Sequence, residues 1–140
     1  MIAMTYGNVY VASVSLGANP AQAVKAFNEA EAYDGPSLII CYAHCIAHGI
    51  NMTTGLREQQ KAVNSGAWLL YRYNPTLEKP LQLDSKAPTL AYSEYAFGEN
   101  RFRQLKAQDP ATAEALVNKG AQLMDRRFKL YQKLSDIQLD

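Results

Sequence analysis

Cysteine is nearly absent from this 140-residue sequence: only Cys41 and Cys45 occur, four positions apart. Two thiols so few and so close cannot frame a secreted disulfide scaffold, so a reducing, cytoplasmic setting is expected. Long hydrophobic runs are missing too. No apolar stretch approaches the roughly 18 to 20 residues of a membrane span. The start, Met1-Ile2-Ala3-Met4-Thr5-Tyr6, lacks the basic end, apolar centre and small-residue cleavage site of an export signal. Charge of one sign is not in excess: 14 basic residues face 13 acidic ones, for a net charge of +1. Residues 1–100 carry 6 basic and 8 acidic side chains, and residues 101–140 carry 8 and 5. So mild a basic tail is far from the dense Lys/Arg stripe of nucleic-acid binders, and neither nucleic acid nor a membrane is expected as partner. Glycine-rich phosphate loops, internal repeats and low-complexity tracts are also absent. What remains is 48% hydrophobic and 19% charged. A chain of this size can bury about two thirds of its unfolded surface without disulfides or metal.

The pattern along the chain is that of an α/β protein. Residues Val9 to Ser15 are rich in β-branched and aromatic side chains and read as a first strand. Asn19-Pro20-Ala21-Gln22 supplies a helix cap, a proline in the first turn and a Gln at the capping-box position. The helix that starts there would bury Ala23, Val24, Phe27, Ala30 and Tyr33 and stop at Asp34-Gly35-Pro36. Ser37 to Tyr42 is a nearly continuous apolar run, as in a strand buried on both faces. Strand, helix and strand within about 35 residues make a βαβ crossover, hence a partial parallel sheet with further members. Sites in such sheets lie beyond the carboxyl ends of the strands, which is where Cys41 to Asn51 leaves the second one. Leu56 to Ser65 reads as a short helix and Ala67 to Tyr73 as another strand. Thr76 to Pro88 is expected to cross a surface as an extended arm without regular structure. Ser93 to Gln108 reads as one helix. Asp109-Pro110 opens a longer one to about Leu134, with Ala113, Leu116, Val117, Gly120, Leu123, Met124, Tyr131 and Leu134 near one face.

Chemistry-bearing residues concentrate in one place. Cys41, His44, Cys45 and His48 are four potential metal ligands within eight residues. Their spacing matches no standard zinc module, because paired ligands need a dozen or more residues between them to close a tetrahedron. Cys41, at the end of a buried strand, is expected to pack as a small hydrophobe. Cys45 lies in the turn beyond it and can be one arm of a site completed elsewhere, or a packed thiol. A nucleophilic Cys45 with His44 or His48 as base and Asn51 as orienter is a further reading. Against it, catalytic partners usually come from separate elements. The two histidines are expected to hydrogen-bond loop backbone. Arg57, Lys61 and Arg72 are expected to be solvated or ion-paired. Tyr71 and Tyr73, two of nine tyrosines, are expected to fill the contact between sheet and arm.

Four separated motifs can be read together: Glu31-Ala32-Tyr33-Asp34-Gly35-Pro36-Ser37-Leu38-Ile39-Ile40, Cys45-Ile46-Ala47-His48-Gly49-Ile50, Leu70-Tyr71-Arg72-Tyr73-Asn74-Pro75 and Gln82-Leu83-Asp84-Ser85-Lys86. In this order they resemble the C-terminal part of the large pyruvate:ferredoxin (flavodoxin) oxidoreductases, and the likeness runs from about Ile2 to the last helix. The resemblance implies a parent enzyme that decarboxylates pyruvate on thiamine diphosphate with Mg2+. It passes electrons through 4Fe-4S clusters to ferredoxin or flavodoxin and forms acetyl-CoA with coenzyme A, as a homodimer. It further implies that Cys45, the cysteine of a tyrosine-x-x-cysteine segment, is the fourth ligand of the cluster nearest the thiamine. Cys41 matches no ligand of the family, and His44 could donate a hydrogen bond near the cluster. Residues 1–75 would then be the C-terminal half of a thiamine-diphosphate-binding domain, and residues 76–140 an extended arm and C-terminal helices. The Gly-Asp-Gly thiamine motif and the other cluster cysteines would precede Met1. The 140 residues alone are expected to be inactive and to hold no cofactor. Two readings of other classes stand beside this one: an autonomous, non-catalytic α/β interaction module and a small zinc-binding protein.

Overall fold

The computed structural model describes residues 1–138. Four strands form one mixed sheet in the order β2-β1-β3-β4, with β1 at Tyr10–Val14, β2 at Ser37–Cys41, β3 at Tyr71–Tyr73 and β4 at Leu81–Leu83. The expected crossover is present. β1 and β2 run parallel, joined by α1 at Pro20–Ala32, and Asn19 caps that helix by accepting a 3.0 Å hydrogen bond from the Gln22 amide. β3 and β4 run antiparallel to their neighbours, so the parallel part of the sheet is the β1–β2 pair alone. β4 lies inside the stretch expected to lack regular structure. Asn74 donates its amide to the Pro80 carbonyl at 2.8 Å, and its side chain accepts from Thr76, closing a hairpin that the prolines conceal in the sequence.

Alternation along β1 sets two cores. Tyr10, Ala12 and Val14 meet Ala23 and Ala26 of α1, while Val11 meets Leu69, Tyr71, Leu81 and Tyr131 on the opposite face. Tyr131 belongs to α5 (Pro110–Ser135), which lies across that second face with Phe128 and Leu134. Tyr71 and Tyr73 therefore pack between the sheet and α5. The Tyr71 and Tyr131 rings sit 5.0 Å apart. Burial on α1 falls on Gln22, Ala23 and Ala26, whereas Val24 and Phe27 are exposed, contrary to their expected place in the core. Gln22 is held inward because its amide group donates to Asp84 at 2.9 Å and to the Ser13 carbonyl at 3.3 Å.

Two further elements depart from the sequence reading. β2 is not buried on both faces: Leu38 is 42% exposed and Ile40 37%. It is an edge strand of the sheet, with β1 on one side only. The single helix expected from Ser93 to Gln108 is two, α3 at Tyr92–Ala96 and α4 at Asn100–Gln108, separated at Phe97-Gly98-Glu99. Arg72 locks the layers together. Its guanidinium donates to both Asp84 oxygens at 2.9 Å and to Glu29 on α1, and these bonds, Asp84's first, raise its already high pKa.

Candidate functional site

The segments leaving the carboxyl ends of β1 and β2 converge, and the backbone of Tyr42 still donates to the Val14 carbonyl at 2.9 Å. Helix α2 (Gly55–Asn64) turns Gln59 into the gap, where it is buried. Gln59 Oε1 accepts from Ser15 Oγ at 2.9 Å and from the Gly17 amide at 2.8 Å. Its Nε2 lies 3.0 Å from His44 Nδ1. An amide oxygen already facing two donors leaves the amide nitrogen to donate, which makes His44 Nδ1 the acceptor and puts the ring proton on Nε2. The His44 ring reaches this position across Gly55. A Cβ there would overlap the ring.

The other side of the loop is held separately. His48 Nδ1 lies 3.3 Å from Glu99 Oε1, an oxygen that also accepts from the Tyr95 hydroxyl at 3.3 Å. The Tyr42 hydroxyl is 2.9 Å from that of Tyr95 and is left to donate to it. Burial raises the pKa of both phenols, so they remain protonated donors at neutral pH. Glu99 is itself buried, at 3% exposure, in the break between α3 and α4. Gly49 makes the turn possible with φ of 71°, and it lies so close to α4 that an added Cβ would stand 2.5 Å from Asn100 Cβ.

Between these two anchors stands Cys45. It is exposed, it precedes the short helical turn Ile46–His48, and its carbonyl accepts from the His48 amide at 3.1 Å. Among the described residues no hydrogen bond reaches its thiol. The loop is thus pinned at His44 and at His48, one residue before Cys45 and three after, and turns the sulfur outward.

The remaining sequence candidates fall elsewhere. Cys41 ends β2 and is exposed, which corrects its placement in the core; the cause is the edge position of its strand. Among the described residues no three His, Cys, Asp or Glu side chains stand together as metal ligands, so Cys41, His44, Cys45 and His48 do not form a cage. His44 and His48 bond side chains, not the loop backbone they were expected to meet. Asn51 is spent capping the turn Met52–Thr54 through Thr53, at 3.0 Å from its amide, and orients no histidine. Lys61 pairs with Glu58 at 2.8 Å and Arg72 with Glu29 and Asp84, as expected, while Arg57 is exposed. Sequence reading missed Gln59, Glu99, Tyr42 and Tyr95. One signal was available for Gln59: α2 is polar where it turns inward, at Glu58 and Gln59, and exposes Leu56.

Fold and site together define an α/β segment with two exposed thiols, Cys41 at the carboxyl end of its second parallel strand and Cys45 in the anchored loop beyond it. No family model matches the chain. It is 53% identical over 139 residues, 96% of its length, to the pyruvate-flavodoxin oxidoreductase of Nostoc sp., and 51% identical over 140 residues, 97% of its length, to the pyruvate:ferredoxin oxidoreductase of Moorella thermoacetica. It is also 46% identical over 139 residues to the mitochondrial pyruvate dehydrogenase [NADP(+)] of Euglena gracilis. The chain spans 12% of the first two relatives and 8% of the third. It is a homologue of one segment of the pyruvate-flavodoxin and pyruvate:ferredoxin oxidoreductases, and the likeness read from its four motifs holds over nearly its whole length.

Proposed function

We propose that the chain is a segment of an enzyme that oxidatively decarboxylates pyruvate to acetyl-CoA and CO2 and reduces ferredoxin or flavodoxin. Within that enzyme, Cys45 provides the fourth thiolate of the 4Fe-4S cluster nearest the thiamine. The observation that carries the reading is identity of 51% and 53% over almost all of the chain, extending through the Cys45 loop. The donor present fits the implied group. Thiolate sulfur is what such clusters take, and Cys45 is exposed while the residues around it are anchored. One thiol meets one coordination position, and the other three ligands come from elsewhere in the polypeptide.

When bound, the cluster supplies one-electron transfer. This chain's own residues do the positioning. Gln59 ties His44 to the turn after β1, and Glu99 ties His48 to the α3–α4 break, so the loop is set before any ligand arrives. Thiamine diphosphate, Mg2+ and coenzyme A belong to the parent reaction. Residues 1–75 are the second half of the thiamine-diphosphate-binding domain, and 76–140 its arm and helices. The parent is a cytoplasmic homodimer; among the described residues no helix is long and apolar enough to cross a membrane. The isolated 140 residues are inactive.

The test is the full-length polypeptide, purified without oxygen and supplied with pyruvate, coenzyme A and thiamine diphosphate. Pyruvate-dependent reduction of ferredoxin or flavodoxin with formation of acetyl-CoA is the expected result. A full-length protein with bound cluster and thiamine that leaves pyruvate untouched would refute the proposal.

A further inference from the structure

Helix α5 buries Ala113, Val117 and Tyr131. Beside that face runs a second apolar row. Leu116, Leu123 and Leu130 recur every seven residues, and Ile137, just past the helix, continues the spacing; all four are 45% to 52% exposed. Three residues after each leucine stands a cation: Lys119, Arg126 and Lys133, all exposed. Seven residues fall only about 20° short of two full turns, so each row stays nearly straight. The two rows lie side by side for about 21 Å, from Leu116 to Leu130, at 1.5 Å per residue. Among the described residues none of these three cations enters an ion pair. Asp125, next to Arg126 in the chain, already holds Lys129 at 2.7 Å.

An apolar row at a seven-residue repeat with charge along one flank is the pattern by which one helix receives another. The charge decides the partner. A second copy of α5 laid antiparallel would set Lys119 against Lys133 and Arg126 against Arg126, and laid parallel it would set Lys119 and Arg126 against the uncharged Met124 and Tyr131 flank, so neither direction offers these cations an acid. The complement is a helix with its own apolar row flanked by Asp or Glu at the same spacing. We propose that this ridge docks such an acidic helix from elsewhere in the same polypeptide. The inference rests on the reading that the chain is a segment of a longer enzyme, for it spans only 12% of the two oxidoreductases it matches at 51% and 53% identity.

The full-length polypeptide tests this by zero-length carbodiimide coupling of lysines to carboxylates, mapped by mass spectrometry on a mixture of isotopically light and heavy copies. The expected result is coupling of Lys119 and Lys133 to Asp or Glu outside this segment within one copy, and loss of that coupling when Leu123→Asp and Leu130→Asp are combined. Both leucines are half exposed, so the double variant is compatible with folding. Coupling between light and heavy copies would overturn the proposal. So would free acetylation of both lysines without coupling, coupling unchanged in the double variant, or protection of the lysines only by phosphatidylserine vesicles. Pyruvate oxidation measured on the same preparation separates the two ideas. Coupling without oxidation removes the enzyme reading and keeps the seam, and oxidation without coupling removes the seam alone.

Discussion

Gln59→Leu removes the junction of the Cys45 loop while leaving its volume nearly unchanged. Three hydrogen bonds disappear, to Ser15 Oγ, the Gly17 amide and His44 Nδ1. Their loss matters because the partners cannot all turn to water. Ser15 is fully buried, and the Gly17 amide faces the same spot. A buried donor left unsatisfied costs about 1 to 3 kcal/mol. The Ser15 hydroxyl can rotate toward another acceptor, and the His44 ring and Gly17 are partly exposed, so the low end of that range, about 1 kcal/mol, applies to each of the three, giving a total of about 3 kcal/mol. For a chain of this size that corresponds to a drop in Tm of roughly 6 to 12 °C. Urea and thermal unfolding followed by circular dichroism measure it. The exposed neighbour provides the control, since Gln60→Leu should change stability by less than about 0.5 kcal/mol. If Gln59→Leu is as mild as Gln60→Leu, Gln59 does not hold the loop and the anchoring argument fails.

Three further outcomes are expected. Arg72→Met leaves Asp84 without its cation and Glu29 with only Lys25 at 4.0 Å, and because the Glu29 side chain is 31% exposed the cost should sit near the bottom of the range for broken buried pairs, about 3 kcal/mol, measurable by urea unfolding. Gly49→Ala forces a side chain into a left-handed conformation and against Asn100, costing about 1 to 3 kcal/mol and raising proteolysis within residues 45–50; an unchanged digestion pattern would refute the steric account. Asp109 caps α5 through Thr112, and the hydrogen bond to its side chain holds the carboxyl below the ordinary aspartate range. A depressed carboxyl pKa stabilises above the ordinary range and loses that stabilisation as pH falls through it. The Tm advantage of wild type over Asp109→Ala should therefore shrink from about pH 6 to about pH 3, and a constant difference would contradict it.

Local signals were legible and long-range ones were not. Asn19-Pro20 and Asp109-Pro110 marked two helix starts because the cap, the proline and the first turn are neighbours in sequence; both cap side chains accept as read, but Gln22 bonds Asp84 and Ser13 instead of closing a capping box on Asn19. Ser37 to Tyr42 announced a strand but not its exposure, since an apolar run looks the same in a central strand and in an edge strand awaiting a neighbour. β4 hid because three residues between prolines carry no periodicity, and only β3 gives them a partner. The helix expected from Ser93 to Gln108 breaks at Gly98, where Glu99 turns inward to His48. For the site, Cys45 and both histidines were visible as a cluster, but their arrangement was not. Gln59 and Glu99 reach the site from other elements, and nothing local in the sequence pairs Glu99 with His48.

The central claim is that Cys45, and not Cys41, meets a cluster. It is tested most directly in the full-length polypeptide by iron quantification and low-temperature electron paramagnetic resonance of the Cys45→Ser and Cys41→Ser variants. Cys45→Ser should lose or alter the signal of the thiamine-proximal cluster while the other clusters keep theirs, and Cys41→Ser should match wild type. An unaltered spectrum and iron content in Cys45→Ser would contradict the account.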